Sequence, residues 1–202
     1  MKYFDLLNRI QRSLQETNGF QHDLLVTDFL APSKSQNSLI VKEGSDTTEI
    51  LVCLDEELLN RCSSLRLPYD FQPDMIPDLA ILIEELSHFN TFCDRALQDQ
   101  SVTALELEVQ GKVDKFSTIL GWLEERNEEI LRDRIFDALF DECKVGEWVS
   151  EDNRLRYFEA HSIARNFCRK VLRTSPSPEE RRVAFKKFFE SPRSVKLNPS
   201  LD

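Results

Sequence analysis

The sequence predicts an α+β fold that is mainly α, with a small N-terminal antiparallel sheet followed by a helical bundle. Short apolar runs separated by turn residues are confined to the part before residue 55, and this pattern indicates strands. From about residue 77 onward, apolar residues recur at steps of three and four, which is the helical period. We expect one globular α+β domain over residues 1–173, with a C-terminal basic helix and polar tail over 174–202 packed on it.

The N-terminal elements follow from local patterns. An amphipathic first helix carries Phe4, Leu7, Ile10 and Leu14 on one face. Gly19 is typical of the residue that ends a helix. Short strands are expected at 24–30, 39–42 and 48–54, separated by turns at 31–33 and 43–46. Asp55 is expected to cap a short helix that ends near Cys62.

Two long helices are expected after a proline-containing loop. Pro77 is typical of a helix start, and the apolar stripe that follows is Leu79, Leu82, Leu86, Phe89 and Cys93. A second long apolar stripe runs through residues 101–125. These stripes predict two helices that bury one face each.

The remainder of the chain is also predicted to be helical. One helix should end near Cys143, a break is expected at Gly146 and Ser150, and another helix should cover 153–172. Ser177, followed by proline and two glutamates, indicates the start of a last helix. We expect the basic C-terminal helices to pack on the body through Phe158, Phe167, Val183 and Phe188, with their arginines at the rim. The polar tail from residue 191 is expected to be frayed.

Charge is unevenly distributed along the chain. The net charge is −10, yet residues 154–196 hold twelve basic and four acidic residues. This region has two interpretations. It is a binding surface for nucleic acid or for an acidic protein partner, or it is a basic layer that docks on the acidic body of the same chain. The overall acidity, which repels phosphate backbones, and the lack of a nucleic-acid motif favour the second interpretation. A protein partner stays an open alternative, and nucleic acid is not expected.

Composition also bounds the class of protein. No run approaches the eighteen or so apolar residues of a membrane span, so we expect no membrane association. The N-terminal stretch contains Asp5, Arg9 and Arg12, unlike a secretory signal peptide. Five widely spread cysteines without a C-x-x-C pair are typical of a reducing cytoplasm. We therefore expect a cytoplasmic protein without a disulfide framework.

The segment Glu84-Glu85-Leu86-Ser87-His88 carries the clearest chemical signal. It places two carboxylates one turn before one of only three histidines in the chain. Side chains three and four apart overlie one another on a helix, and Ile81 and Phe92 flank this row. Buried charges need partners, and a divalent cation is one such partner.

The pattern E-E-x-x-H resembles the H-E-x-x-H helix of zincin metallopeptidases. The resemblance implies that Glu84 is the first metal ligand, Glu85 the general base and His88 the second ligand. In the gluzincin branch a glutamate about twenty residues later completes the site, and Glu108 occupies about that place. Zinc prefers nitrogen and sulfur ligands, whereas harder metals accept carboxylates. The implied cofactor is one divalent metal, zinc or manganese.

The same residues have other interpretations. A ferritin-like di-iron site needs a second E-x-x-H unit, and the sequence contains none, so this interpretation is disfavoured. His161 lies on an apolar row and is an outside candidate for a fourth ligand. Glu85 and His88 can also simply pair without metal, in a non-enzymatic interaction or regulatory module whose basic C-terminal helices contact a partner. If the metal site exists, its carboxylate oxygens should lie within about 5 Å of a His88 ring nitrogen.

Overall fold

A computed structural model of the chain describes residues 3–34, 36–44, 47–142 and 151–197. Within these ranges the protein is α+β and mainly α, with a small sheet near the N-terminus followed by helices, as the sequence predicts. The helices are α1 Phe4–Asn18, α2 Glu56–Cys62, α3 Ile76–Ala96, α4 Ala104–Glu125, α5 Arg132–Phe136, α6 Glu151–Thr174, α7 Pro178–Glu190 and α8 Arg193–Lys196. The strands are β1 Leu30–Ser33, β2 Ser38–Glu43 and β3 Thr48–Asp55.

The sheet is mixed and its strand order is β1-β3-β2. β2 pairs with β3 in the antiparallel sense, but β1 pairs with β3 in the parallel sense, so the expectation of a wholly antiparallel sheet is wrong for β1. Pro32, expected in a turn, lies inside β1 opposite Leu54. Proline is tolerated there because β1 is an edge strand, whose outer side has no ladder partner in this sheet.

The expected strand at 24–30 is wrong except for its last residue. Val26–Asp28 form a short 3-10 turn instead. The side chain of Gln11 explains the difference, because its Nε2 donates to Leu24 O and its Oε1 accepts from Val26 N. These two bonds satisfy backbone groups that would otherwise need a neighbouring strand.

The helical core is built around α4, which packs against α3 on one side and α6 on another. The Thr103 hydroxyl accepts from Glu106 N, while the Glu106 carboxylate accepts from Thr103 N, and this reciprocal capping begins α4. Phe116 and Trp122 of α4 are fully buried. α1 contacts α3, α4 and α7, so the first helix closes the same core.

Local signals place most helix ends correctly. Gly19 follows α1 with φ of +71°, Asp55 caps α2 and Ser177 caps α7. The predicted helix end near Cys143 and the break at Gly146 and Ser150 lie outside the described residues, as do residues 45–46 of a predicted turn.

The predicted packing face of the C-terminal helices is wrong in part. Phe158 is 53% exposed and Val183 is 66% exposed, whereas Phe167 and Phe188 stack with their ring centroids 4.1 Å apart. The buried face of α6 consists of Ala160, Ile163, Ala164, Cys168 and Val171. Phe158 lies two residues before this stripe begins, about 200° around the helix from Ala160.

One arginine and the predicted tail also depart from expectation. The sequence predicts Arg181 at the rim, but this residue is 1% exposed and its guanidinium binds Glu124 at 2.7 Å. The tail from residue 191 is expected to be frayed, but α8 forms and Lys196 is buried. Residues 198–202 of this tail lie outside the described residues. The aliphatic stem of a lysine can lie in apolar surroundings while its ammonium reaches a polar partner. Here the ammonium lies over the rings of Phe188 and Phe189 and donates to Gln110.

A buried carboxylate near the middle of α4 connects three helices. Asp114 accepts hydrogen bonds from Ser87 Oγ at 2.6 Å, from Asn18 Nδ2 at 3.0 Å and from Gln110 Nε2 at 2.8 Å. Burial raises the pKa of Asp114, while these three donors act in the opposite direction. α1, α3 and α4 thus share one acceptor, and Lys196 joins it through Gln110.

Within the described residues, every helix is too short or too polar to cross a membrane. Four cysteines, Cys53, Cys62, Cys93 and Cys168, are buried free thiols. Burial raises the pKa of Cys62 to about 11 and that of Cys93 to about 12. A thiol with a raised pKa is a poor nucleophile at neutral pH, so neither of these two groups is suited to nucleophilic chemistry.

Candidate metal centre

Two neighbouring helices bring three potential metal ligands together. α3 carries Glu84 and His88 on successive turns, and α4 carries Glu108 opposite them. One ligand atom from each residue lies within 4.8 Å of the other two, inside the range that the sequence hypothesis requires. Glu108 is buried, and Glu84 and His88 are partly buried. This group, the Glu–His–Glu triad, could hold a metal ion.

Each member of the triad has a polar atom that lacks a hydrogen bond. Glu84 Oε1, His88 Nε2 and Glu108 Oε2 are buried and have no hydrogen-bond partner among the described residues. A buried polar group without a partner costs about 1–3 kcal/mol. All three atoms belong to residues of the triad, and a bound cation is one partner that could satisfy them.

Glu85 contacts the other side of the imidazole. Its Oε2 lies 3.6 Å from His88 Nδ1. A carboxylate at one ring nitrogen fixes the orientation of a histidine and leaves the second nitrogen to bind metal. At 3.6 Å the contact of Glu85 with His88 is an ion-pair contact, too long for a good hydrogen bond. Glu85 also lies on the wall of the adjacent cleft.

The same carboxylates control the charge of His88. Burial opposes protonation of the imidazole, but the contact with Glu85 and the charges of Glu85, Glu84 and Glu108 outweigh it and raise the pKa of His88. Without metal, the ring is therefore more easily protonated than a free histidine. A histidine that binds a metal must be neutral, so protons and metal ions compete for His88.

Gly111 allows the two helices to approach at the triad. A Cβ atom added at Gly111 would lie 3.1 Å from His88 Nε2 and 3.2 Å from Glu84 Cγ. Both distances are shorter than ordinary contacts, so any larger residue would displace the two ligands from α3. Glycine is otherwise unfavourable within a helix by about 1 kcal/mol relative to alanine, and this close approach supplies a reason for it.

Three cations lie around the triad. Lys115 Nζ is 2.8 Å and Lys112 Nζ is 4.0 Å from the carboxylate of Glu84. Burial opposes ionisation of Glu84, but these lysines and His88 outweigh it and lower the pKa of Glu84 to about 2. Arg156 Nη2 lies 3.7 Å from Glu108 Oε1. The carboxylates therefore have counter-charges of their own, against which a metal ion must compete.

Glu108 and Tyr157 form the side of the site that faces α6. Burial and the nearby charge of Glu84 raise the pKa of Glu108, against the opposing effects of His88, Lys112 and Arg156. Burial, together with the charges of Glu108 and Glu84, raises the pKa of Tyr157 to about 12. The tyrosine hydroxyl therefore stays protonated at neutral pH.

His161 lies apart from the triad. Its Nε2 is 2.8 Å from Phe140 O, and its ring meets that of Phe140 edge-on. Burial lowers the pKa of His161, and the bond to the carbonyl acts in the opposite direction. Among the described residues, the group with metal-ligand spacing comprises Glu84, His88 and Glu108, without His161.

The sequence hypothesis did not include Gly111, Lys112, Lys115 and Arg156. Two signals could have identified part of this set. Lys112 and Lys115 follow Glu108 by four and seven residues, which places all three on one helical face. Gly111 interrupts a strongly helical stripe, and an isolated glycine there often has a packing reason. Arg156 comes from α6, and its approach to Glu108 depends on tertiary structure alone.

Comparisons of the chain with protein-family models, curated proteins and solved structures found no match. The resemblance to zincins therefore rests on the segment Glu84–His88 and on its spatial association with Glu108. Neither a fold family nor an activity is transferred to this protein from a relative, so its function is argued from the site.

Proposed function

We propose that this protein binds one divalent cation, zinc or manganese, through Glu84, His88 and Glu108, and that it has a hydrolase-like activity. The observation that supports this proposal is the convergence of three potential metal ligands, which each place one ligand atom within 4.8 Å of the other two. Each of the three residues also has a buried atom without a hydrogen-bond partner among the described residues. Two carboxylates and one imidazole form a ligand set that suits either metal. A bound cation would lower the pKa of a coordinated water molecule.

The cleft next to the triad supplies space for a substrate. It has a volume of about 570 Å³ and lies between β2, α3, α4 and α6, and Glu85, His88 and Glu108 line it. In this proposal Glu85 orients His88 through Nδ1 and serves as the general base for a water molecule in the cleft. A general base must lie within hydrogen-bond reach of that water, which its position on the cleft wall permits.

Direct metal-binding measurements test the proposal. Protein purified without a metal-affinity column is titrated with Zn²⁺ and with Mn²⁺ by calorimetry, and its bound metal is measured after dialysis. Wild-type protein should bind one equivalent, and His88→Ala should lose this binding. His161→Ala is the matched control, because it removes another partly buried histidine outside the triad. Equal affinities of the wild type and His88→Ala would refute the proposal.

A second pair of variants separates metal binding from chemistry. Glu108→Gln keeps the volume of the side chain but removes a charged ligand, so metal affinity should fall even if His88→Ala is poorly folded. Glu85→Gln should keep the metal equivalent, with affinity about 10–100-fold lower if its carboxylate orients His88. Hydrolysis of an ester substrate at saturating metal should fall further if Glu85 is also the base.

The alternative is a non-enzymatic interaction module that uses the basic C-terminal helices. Three of their arginines are paired within the chain, however: Arg165 and Arg169 with Asp141, and Arg181 with Glu124. Internal pairing of this kind favours docking of the basic layer on the body. The absence of metal binding in the titrations above would favour the alternative.

A further inference from the structure

The cleft beside the triad is lined by both apolar and polar side chains. Leu39 and Val41 of β2, Phe92 of α3 and Leu107 of α4 are among its apolar lining residues. Its polar lining residues are Glu85, His88, Glu108, Arg156 and Tyr157, together with Asn37, Ser38 and Glu43 on the side of the sheet. A ligand that suits such a lining has an apolar body and a polar group.

Arg156 is the cation that lines the cleft. Its guanidinium lies 5.6 Å above the ring centre of Tyr157, and this stacking restricts its position. Its only ion pair within the described residues is with Glu108, and the distance of 3.7 Å is too long for a good hydrogen bond. Its Nε is buried without a hydrogen-bond partner among those residues. Several of the five N–H donors of the guanidinium are therefore available to a ligand.

The charge balance of the site changes when a metal ion binds. Three carboxylates, from Glu84, Glu85 and Glu108, lie beside three cations, from Lys112, Lys115 and Arg156. The resting site is therefore close to neutral when His88 is neutral. A divalent cation adds two positive charges and shares Glu108 with Arg156. The loaded site then has a positive excess that a ligand anion can balance.

We propose that the metal-loaded site binds a small carboxylate with an apolar body, and that Arg156 binds the carboxylate group. This inference rests on the proposed metal function and names the class of ligand for that site. The planar guanidinium matches a carboxylate in a two-bond arrangement. A metal ion that binds Glu108 weakens the ion pair between Glu108 and Arg156. Metal binding and carboxylate binding should therefore each increase the affinity of the site for the other ligand.

Hexanoate is the probe for this coupling, and Mn²⁺ binding is measured first, without the probe. Calorimetry then compares hexanoate affinity for the wild-type protein with and without saturating Mn²⁺. We expect the metal to increase hexanoate affinity about tenfold or more, within the range of known couplings. Hexanamide, which has the same apolar body but no charge, should show no such increase. Acetate, which lacks the body, should bind more weakly than hexanoate.

Variants of Arg156 distinguish its role from direct binding of the probe to the metal. Arg156→Gln should keep or increase Mn²⁺ affinity, because a competitor for Glu108 is removed, but should lose the effect of metal on hexanoate. Arg156→Lys should retain only part of the effect of Mn²⁺ on hexanoate affinity, since an ammonium group does not form the two-bond arrangement with a carboxylate. Arg165→Gln, which removes an arginine paired with Asp141 instead, is the control and should behave like the wild type.

The outcomes separate this inference from the proposed function. Normal Mn²⁺ binding with hexanoate affinity that is unaffected by metal overturns the carboxylate site and leaves the metal site standing. If Mn²⁺ increases hexanoate affinity in Arg156→Gln as much as in the wild type, Arg156 is not the residue that binds the carboxylate group. Failure of Mn²⁺ and Zn²⁺ to bind the wild-type protein overturns the proposed function and this inference together.

Discussion

Replacement of Gly111 by alanine tests the close approach of α3 and α4 at the triad. The new Cβ would lie 3.1 Å from His88 Nε2 and 3.2 Å from Glu84 Cγ, so these side chains must move by a few tenths of an ångström. Overpacking of this kind costs about 1–3 kcal/mol. Alanine in place of a helical glycine contributes about 1 kcal/mol in the opposite direction. The net loss of stability should therefore be about 0–2 kcal/mol.

Gly121 provides a matched control on the same helix. A Cβ at this position would meet nothing within 4 Å, so Gly121→Ala should stabilise the protein by about 0.5–1 kcal/mol from helix propensity alone. The difference between the two variants isolates the packing cost at the triad. Free energies of unfolding are obtained from urea denaturation of metal-free protein.

Metal affinity supplies the second readout for this pair of variants. Gly111→Ala should bind Mn²⁺ at least about tenfold more weakly, equivalent to about 1.4 kcal/mol, because the displaced His88 and Glu84 no longer converge on Glu108. Gly121→Ala should bind as the wild type does. If both variants were equally stabilised and bound Mn²⁺ with wild-type affinity, the described contact between α3 and α4 would be wrong.

Three further predictions concern charged groups. The pKa of Glu84 is lowered to about 2 from 4.5, so its contribution to stability, at most about 3 kcal/mol, is present above pH 4.5 and lost as pH falls towards 2. Urea denaturation across this range should show a steeper loss for the metal-free wild type than for Glu84→Gln, and parallel curves would contradict this. Lys115→Met should raise Mn²⁺ affinity about tenfold or more, equivalent to about 1.4 kcal/mol, because Lys115 competes with the metal for Glu84. Unchanged Mn²⁺ affinity in calorimetry would exclude this competition. Arg181→Met leaves Glu124 buried without its partner and should lower the free energy of unfolding, measured by urea denaturation, by about 3–5 kcal/mol. Arg182 is the exposed neighbour, and Arg182→Met should lower it by less than about 0.5 kcal/mol. Similar losses in the two variants would show that the buried pair is unimportant.

The helices were predictable from the sequence because their signals are local. Caps such as Asp55 and Ser177 satisfy backbone groups within the same turn, so they can be recognised without tertiary structure. The long apolar stripes of α3 and α4 fixed their buried faces in the same way. The spacing of Glu84 and His88 also follows from one helix.

The departures arise where a distant side chain decides local structure. Residues 24–29 are apolar enough for a strand, but Gln11 binds their backbone groups and removes the need for one. The tail is polar enough to be frayed, but Lys196 finds Gln110 and two aromatic rings. Neither partner is identifiable from the neighbouring sequence. The same limit explains why the approach of Arg156 to Glu108 could not be predicted.

The shared acceptor Asp114 has a consequence for how the chain folds. Its bond from Asn18 spans 96 residues, and the bond from Lys196 to Gln110 spans 86. Contacts of such sequence separation form slowly, since loop closure must precede any gain from the contact. Ser87, which donates to Asp114, directly precedes His88. We therefore expect the ligand geometry to mature late in refolding, only after α1 and α8 have docked on α4.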